Sequence, residues 1–88
     1  MEISVEISMY PLTEDYLGYI KDFIERLENT QGISVVGNTI STQIFGDYDR
    51  VMDILKKEIK ASWDEFGRSI FVCKFLGRNL DPALKPHG

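Results

Sequence analysis

The chain has 88 residues, too few for two domains, and its single cysteine rules out an internal disulfide. Hydrophobic residues make up 43% and charged residues 27%, the balance of a folded globular protein and not of a disordered chain. With 10 Lys and Arg against 14 Asp and Glu the net charge is −4, and no basic stripe is present to displace counterions from phosphates, so nucleic-acid binding is disfavoured.

The first predicted element spans residues 2–10, where Ile3, Val5, Ile7 and Met9 alternate with Glu2, Ser4, Glu6, Ser8 and Tyr10. A period of two marks a strand with one buried face, and Pro11, which cannot donate to a ladder, ends it. Thr13 is the expected cap of a first helix, with Glu14 and Asp15 in its first turn, where the helix dipole favours acids. Leu17, Ile20, Phe23, Ile24 and Leu27 recur at helical spacing, with Tyr16 beside them, and Asn29-Thr30-Gln31-Gly32 stops the helix. Ile33–Val36 reads as a short strand, Gly37-Asn38 as a two-residue hairpin turn, and Thr39–Phe45 as the returning strand. Asp47 caps a second helix carrying the stripe Val51, Met52, Leu55, Ile59, Trp63 and Phe66, closed by Gly67 in a left-handed position. Lys56, Lys57 and Lys60, with Glu58 among them, read as its solvated face, and Asp47 with Asp49 as cap and dipole partners, not a catalytic pair. Ser69–Leu76 is the last strand, and residues 78–88 are expected to be a loosely ordered tail behind a domain of residues 1–77.

The order β-α-β-β-α-β with right-handed crossovers predicts an α+β, ferredoxin-like sandwich: a four-stranded antiparallel sheet with two helices on one face. Strands 1 and 3 are then central, strand 4 flanks strand 1, and strand 2 flanks strand 3. If the aliphatic row of strand 1 faces the helices, Glu6, Ser8 and Tyr10 face away. On strand 3, Ile40, Thr42 and Ile44 are expected toward the helices, with Ser41, Gln43 and Phe45 away. On strand 4, Phe71, Cys73 and Phe75 are expected inward and Ile70, Val72 and Lys74 outward. The outward face mixes hydrogen-bonding groups, charge and apolar side chains, which suits a ligand or a second subunit better than bare solvent.

The sequence has no glycine-rich phosphate loop and no Cys/His set at metal-ligand spacing. His87, in the tail, is remote from Cys73, which reads as a small buried apolar filler. The third strand, TISTQIF, lacks the aromatic and basic signature of an RNA-binding sandwich. Tyr10-Pro11-Leu12 stands where acylphosphatase, an enzyme of this topology, needs an arginine-bearing loop. Neither an enzyme nor a metal or cofactor is therefore expected. The N-terminus MEISVEIS has no secretory character and no apolar run is long enough to span a membrane, so a cytoplasmic protein with no membrane association is expected.

Two stretches carry more information: Ile7-Ser8-Met9-Tyr10-Pro11-Leu12, and Asn38-Thr39-Ile40-Ser41-Thr42-Gln43-Ile44-Phe45-Gly46-Asp47-Tyr48-Asp49. With the strand Phe71-Val72-Cys73-Lys74-Phe75, they resemble the thiamine/hydroxymethylpyrimidine-binding YkoF-like family, related to the MTH1187-type proteins, over about residues 2–77. MTH1187-type proteins usually carry Gly-Thr and then Glu-Gly in the third strand, where this chain has Ser41-Thr42 and Phe45-Gly46. The resemblance implies a protein that pairs through its sheet into homodimers or homotetramers and binds thiamine or its pyrimidine moiety near the interface without catalysis.

Thiamine joins a flat aminopyrimidine to a cationic thiazolium, so its site needs hydrogen-bonding groups, an apolar or aromatic wall and a negative charge. Ser8, Ser41, Thr42 and Gln43 are the candidate hydrogen-bonding residues, Tyr10 and Phe45 the wall, and Glu6 the charge. The alternative is an oligomeric interaction or regulatory module whose sheet face only drives association.

Overall fold

In the computed structural model, which describes residues 1–38 and 41–83, β1 runs Glu2–Pro11, α1 Tyr16–Glu28, β2 Ile33–Gly37, β3 Thr42–Asp47, α2 Tyr48–Phe66 and β4 Ser69–Leu76. The sheet order is β2-β3-β1-β4 and all three pairings are antiparallel, so the ferredoxin-like sandwich is the observed fold. Antiparallel partners share a face. Val5 lies opposite both Ile44 and Phe75, and Ile7 opposite both Thr42 and Cys73, so these form the row under the helices. Ile3, Val5, Ile7, Phe23, Leu27, Ile44, Val51, Ile54 and Leu55 form the core. Strand 1 thus presents its aliphatic row as its alternation demands.

Both helices are rotated from the faces read in the sequence. Asp15, not Thr13, caps α1, its side chain accepting from the Gly18 N–H at 3.3 Å, so Glu14 and Asp15 lie outside the first turn. The buried residues of α1 are Tyr19, Phe23 and Leu27, whereas Leu17 is 67% exposed. Tyr19 belongs inside because its ring stacks on Phe66 at 4.9 Å and its hydroxyl donates to the Gly67 carbonyl at 2.7 Å, tying α1 to the end of α2. In α2 the buried line is Val51, Ile54, Leu55, Glu58 and Ser62, while Trp63 is about half exposed and Met52 half-buried. A stripe built only from apolar residues misses Glu58 and Ser62, which enter the interior because Arg26 of α1 donates to both side chains. The Arg26 guanidinium also donates to the Glu58 carbonyl at 3.1 Å and to Asp22 at 2.9 Å. Asp47 caps α2 by accepting from the Arg50 N–H, and Gly67 takes a positive φ of 88° at its end, a backbone region few other residues adopt.

The hairpin turn is displaced from Gly37-Asn38. Gly37 is still paired, opposite Thr42, and the Asn38 N–H donates to the Ser41 carbonyl at 3.0 Å. The Asn38 side-chain oxygen accepts from the Ser41 N–H at 2.7 Å, so Asn38 braces the connection instead of occupying its centre. The strand expected from Thr39 begins at Thr42; Thr39 and the inward placement of Ile40 lie outside the described residues, as does His87. No helix among the described residues is long and apolar enough to cross a membrane.

Candidate functional site

Away from the helices, Ser4, Glu6, Ser8 and Tyr10 of β1 lie opposite Leu76, Lys74, Val72 and Ile70 of β4 respectively. Ser4 and Glu6 also lie opposite Phe45 and Gln43 of β3. This face is open toward the end of β1 and the start of β4, where Tyr10, Ile70 and Val72 are each about half exposed. Nearer the start of β1 it hollows into a cavity of about 570 Å³ lined by Ser4, Glu6, Gln43, Phe45, Leu76 and Leu80, with Lys74 at its rim. The volume lies within the range of small-molecule pockets.

Glu6 is the electrostatic centre of this cavity. Its carboxylate accepts from the Ser41 hydroxyl, just before β3, at 3.2 Å and faces the Lys74 ammonium of β4 at 3.6 Å. Lys74 is mostly in water, its side chain 81% exposed, so its pairing with Glu6 is weak and easily exchanged. Phe45 is only 4% exposed although it points away from the helices, and it makes an apolar floor. The arrangement therefore offers one carboxylate, hydroxyl and amide groups, and an aromatic base.

Of the residues singled out in the sequence, Glu6, Gln43 and Phe45 line this cavity, and Ser41 reaches it only through its hydrogen bond to Glu6. Ser8 and Tyr10 share the face but line no part of the cavity; Tyr10 lies roughly 13 Å along the strand from Glu6, at about 3.3 Å per residue. Thr42 sits on the opposite face, across from Ile7. With Met9, Ile20, Phe23, Asn38 and Ser41 it lines a separate cavity of about 100 Å³ beneath the helices. Ser4, Lys74, Leu76 and Leu80 were not among the residues singled out. Ser4 shares the period-two face of Glu6 and was readable on that ground; Leu80 comes from beyond the last strand and carries no such signal.

A third hollow, of about 470 Å³, lies between α2 and β4 and is almost wholly apolar, lined by Met52, Leu55, Ile59, Trp63, Cys73 and Phe75. Cys73 is half-buried there, and desolvation raises its thiol pKa above the usual range, so it is poorly suited to act as a nucleophile. Among the described residues no group of three or more His, Cys, Asp or Glu side chains could hold a metal ion.

Fold and cavity together define a ferredoxin-like α+β domain whose uncovered sheet face carries a mainly apolar pocket with one carboxylate, Glu6. The sequence model of the YKOF-related Family matches residues 2–74, and the chain belongs to that family. Among solved structures it is similar to protein SP2199 of Streptococcus pneumoniae, with 22% identity, 94% of each chain covered and a TM-score of 0.80. It is also similar to a hypothetical protein of Methanocaldococcus jannascii, MJ1052, with 22% identity, 91% of this chain and 84% of that one covered, and a TM-score of 0.74. A third is TM0486 of Thermotoga maritima, described as a candidate thiamine biosynthesis/salvage protein, with 19% identity, 85% and 82% coverage and a TM-score of 0.76. At these identities the likeness establishes the fold. A search of curated proteins found no match.

Proposed function

We propose that this protein binds thiamine or its hydroxymethylpyrimidine moiety in the open-face cavity and releases it unchanged, and that protomers pair through the same sheet face. The observation that carries the reading is the Glu6 carboxylate held between Ser41 and Lys74 above the Phe45 floor. Family membership supports it, as does the thiamine-related description of TM0486.

The chemistry is complementary. Glu6 attracts the thiazolium cation, and Ser41 offers an acceptor lone pair and Gln43 mixed amide groups to the aminopyrimidine. Phe45 lies against a flat ring, and one charged contact with several neutral ones is needed, since a neutral hydrogen bond contributes only about 0.5–1.5 kcal/mol against the roughly 8 kcal/mol of micromolar binding. Glu6 is engaged with both Ser41 and Lys74, and among the described residues the cavity lining holds no histidine or cysteine, which favours binding over catalysis. The exposed Tyr10, Ile70, Val72 and Leu76 on the same face favour its pairing with a second copy, into a dimer or tetramer.

Titration calorimetry tests the reading. Wild type should bind thiamine with micromolar affinity, and Glu6→Gln should weaken it about tenfold by removing the charge. Lys74→Ala should tighten thiamine binding about two- to fivefold, because the ligand cation no longer competes with the lysine for Glu6. Absence of heat and of a thermal shift at millimolar thiamine or hydroxymethylpyrimidine would end the proposal.

A further inference from the structure

We infer that residues Arg78–Leu80 form a strap closing one side of the open-face cavity, that Ser4 seats it, and that its seating sets how long a thiamine-class ligand stays bound. The inference rests on reading that cavity as the ligand site.

The chain does not leave the sheet freely after β4. The Arg78 N–H donates to the Leu76 carbonyl at 2.8 Å, a tight reversal that turns the backbone over β1. The Ser4 hydroxyl then donates to the Arg78 carbonyl at 2.6 Å and accepts from the Leu80 N–H at 2.8 Å. One hydroxyl thus grips both ends of a three-residue segment, using its single proton and one lone pair. Asn79 adds a bond from its side-chain amide to Glu2 at 2.9 Å. The segment is braced internally as well: Asn79 accepts from the Asp81 N–H and Asp81 from the Ala83 N–H, each at 2.9 Å, in two successive side-chain turns.

The strap accounts for the burial of Ser4, which is 9% exposed on a face the helices do not cover. It also places Leu80 in the wall of the cavity, beside Leu76 and Phe45. Yet it is held by a few hydrogen bonds and Leu80 remains 52% exposed, so it can lift without unfolding the domain. A ligand on Glu6 and Phe45 is confined while the strap is down and freed when it rises.

Stopped-flow dissociation of thiamine, paired with amide hydrogen exchange at Leu80, tests this. Ser4→Ala should release thiamine about tenfold faster, the worth of roughly two lost neutral hydrogen bonds, and the Leu80 amide should lose its protection. Ser4→Thr, which keeps the hydroxyl, should restore both readings toward wild type. Leu80→Ala, at an exposed position, should speed release several-fold while the domain melts as wild type does, which guards against a misfolded Ser4 variant. Release rates within twofold of wild type for both Ser4→Ala and Leu80→Ala would overturn the strap's role while leaving the site intact. A wild type that binds no thiamine would sink the site and the strap's role together; the Leu80 amide would then still exchange slowly, which tells the two failures apart.

Discussion

Arg26→Ala should lower the unfolding free energy by about 2–4 kcal/mol, measured by urea denaturation. The Glu58 carboxylate that Arg26 pairs with is only 10% exposed, and Ser62 is wholly buried. Removing the guanidinium strands a carboxylate and a hydroxyl inside the domain, and the cost of that desolvation exceeds the value of the pair itself. Because Arg26 is itself 26% exposed, the effect should fall below that of a fully interior pair. A domain of this size has only about 4–13 kcal/mol of stability, so the loss is a large share of it. The double variant Arg26→Met/Glu58→Met, which leaves no unpaired charge in the interior because Asp22 is 41% exposed, should recover most of the loss. A loss under about 1 kcal/mol in Arg26→Ala would show that the cluster is an ordinary surface network, and no recovery in the double variant would show that the cost is not that of a stranded charge.

Phe23→Ala should cost about 3–4 kcal/mol and lower the melting temperature by about 12–32 °C. Phe23 has no exposed surface, packs against Phe71 at 5.1 Å and carries Arg26 over its ring at 5.8 Å. Leu17→Ala on the same helix should change stability by no more than about 0.5 kcal/mol, since that side chain is 67% exposed. In the sequence both residues belong to one apolar stripe, so calorimetric scans of the pair separate the two assignments of the α1 face. Similar costs for both would place the helix as its stripe suggested.

That contrast shows where the sequence was informative. Strand 1 was legible because strict alternation leaves one choice of buried face, and pairing with β3 and β4 then fixed the faces of their described residues. Element order and glycine and proline punctuation sufficed for the topology. The helix faces were less legible because tertiary partners decided them. Tyr19 is interior through its bond to Gly67, and Glu58 and Ser62 through Arg26, each a contact between residues far apart in the chain. The hairpin was misplaced because Gly-Asn is a strong local turn signal, while the Asn38 side chain is used to close the connection.

The candidate site was legible in the same uneven way. Glu6, Gln43 and Phe45 follow from strand alternation, and Ser41 from its place beside them. Thr42, by the same alternation, belongs with Ile7 under the helices, so adjacency in a motif did not mean adjacency in space. Lys74 was already read on the outward face of a strand flanking β1, though not as a site residue, whereas Leu80 is visible only once the chain is seen to turn back onto Ser4.

Amide chemical-shift mapping during a thiamine titration tests the central claim most directly. Binding on the uncovered sheet face should move the resonances of Ser4, Glu6, Gln43 and Lys74 together in one saturable transition, with Ile59 and Trp63 unmoved. Shifts confined to the α2–β4 groove around Trp63, or to the small cavity at Thr42 and Ile20, would place the ligand beneath the helices and contradict it.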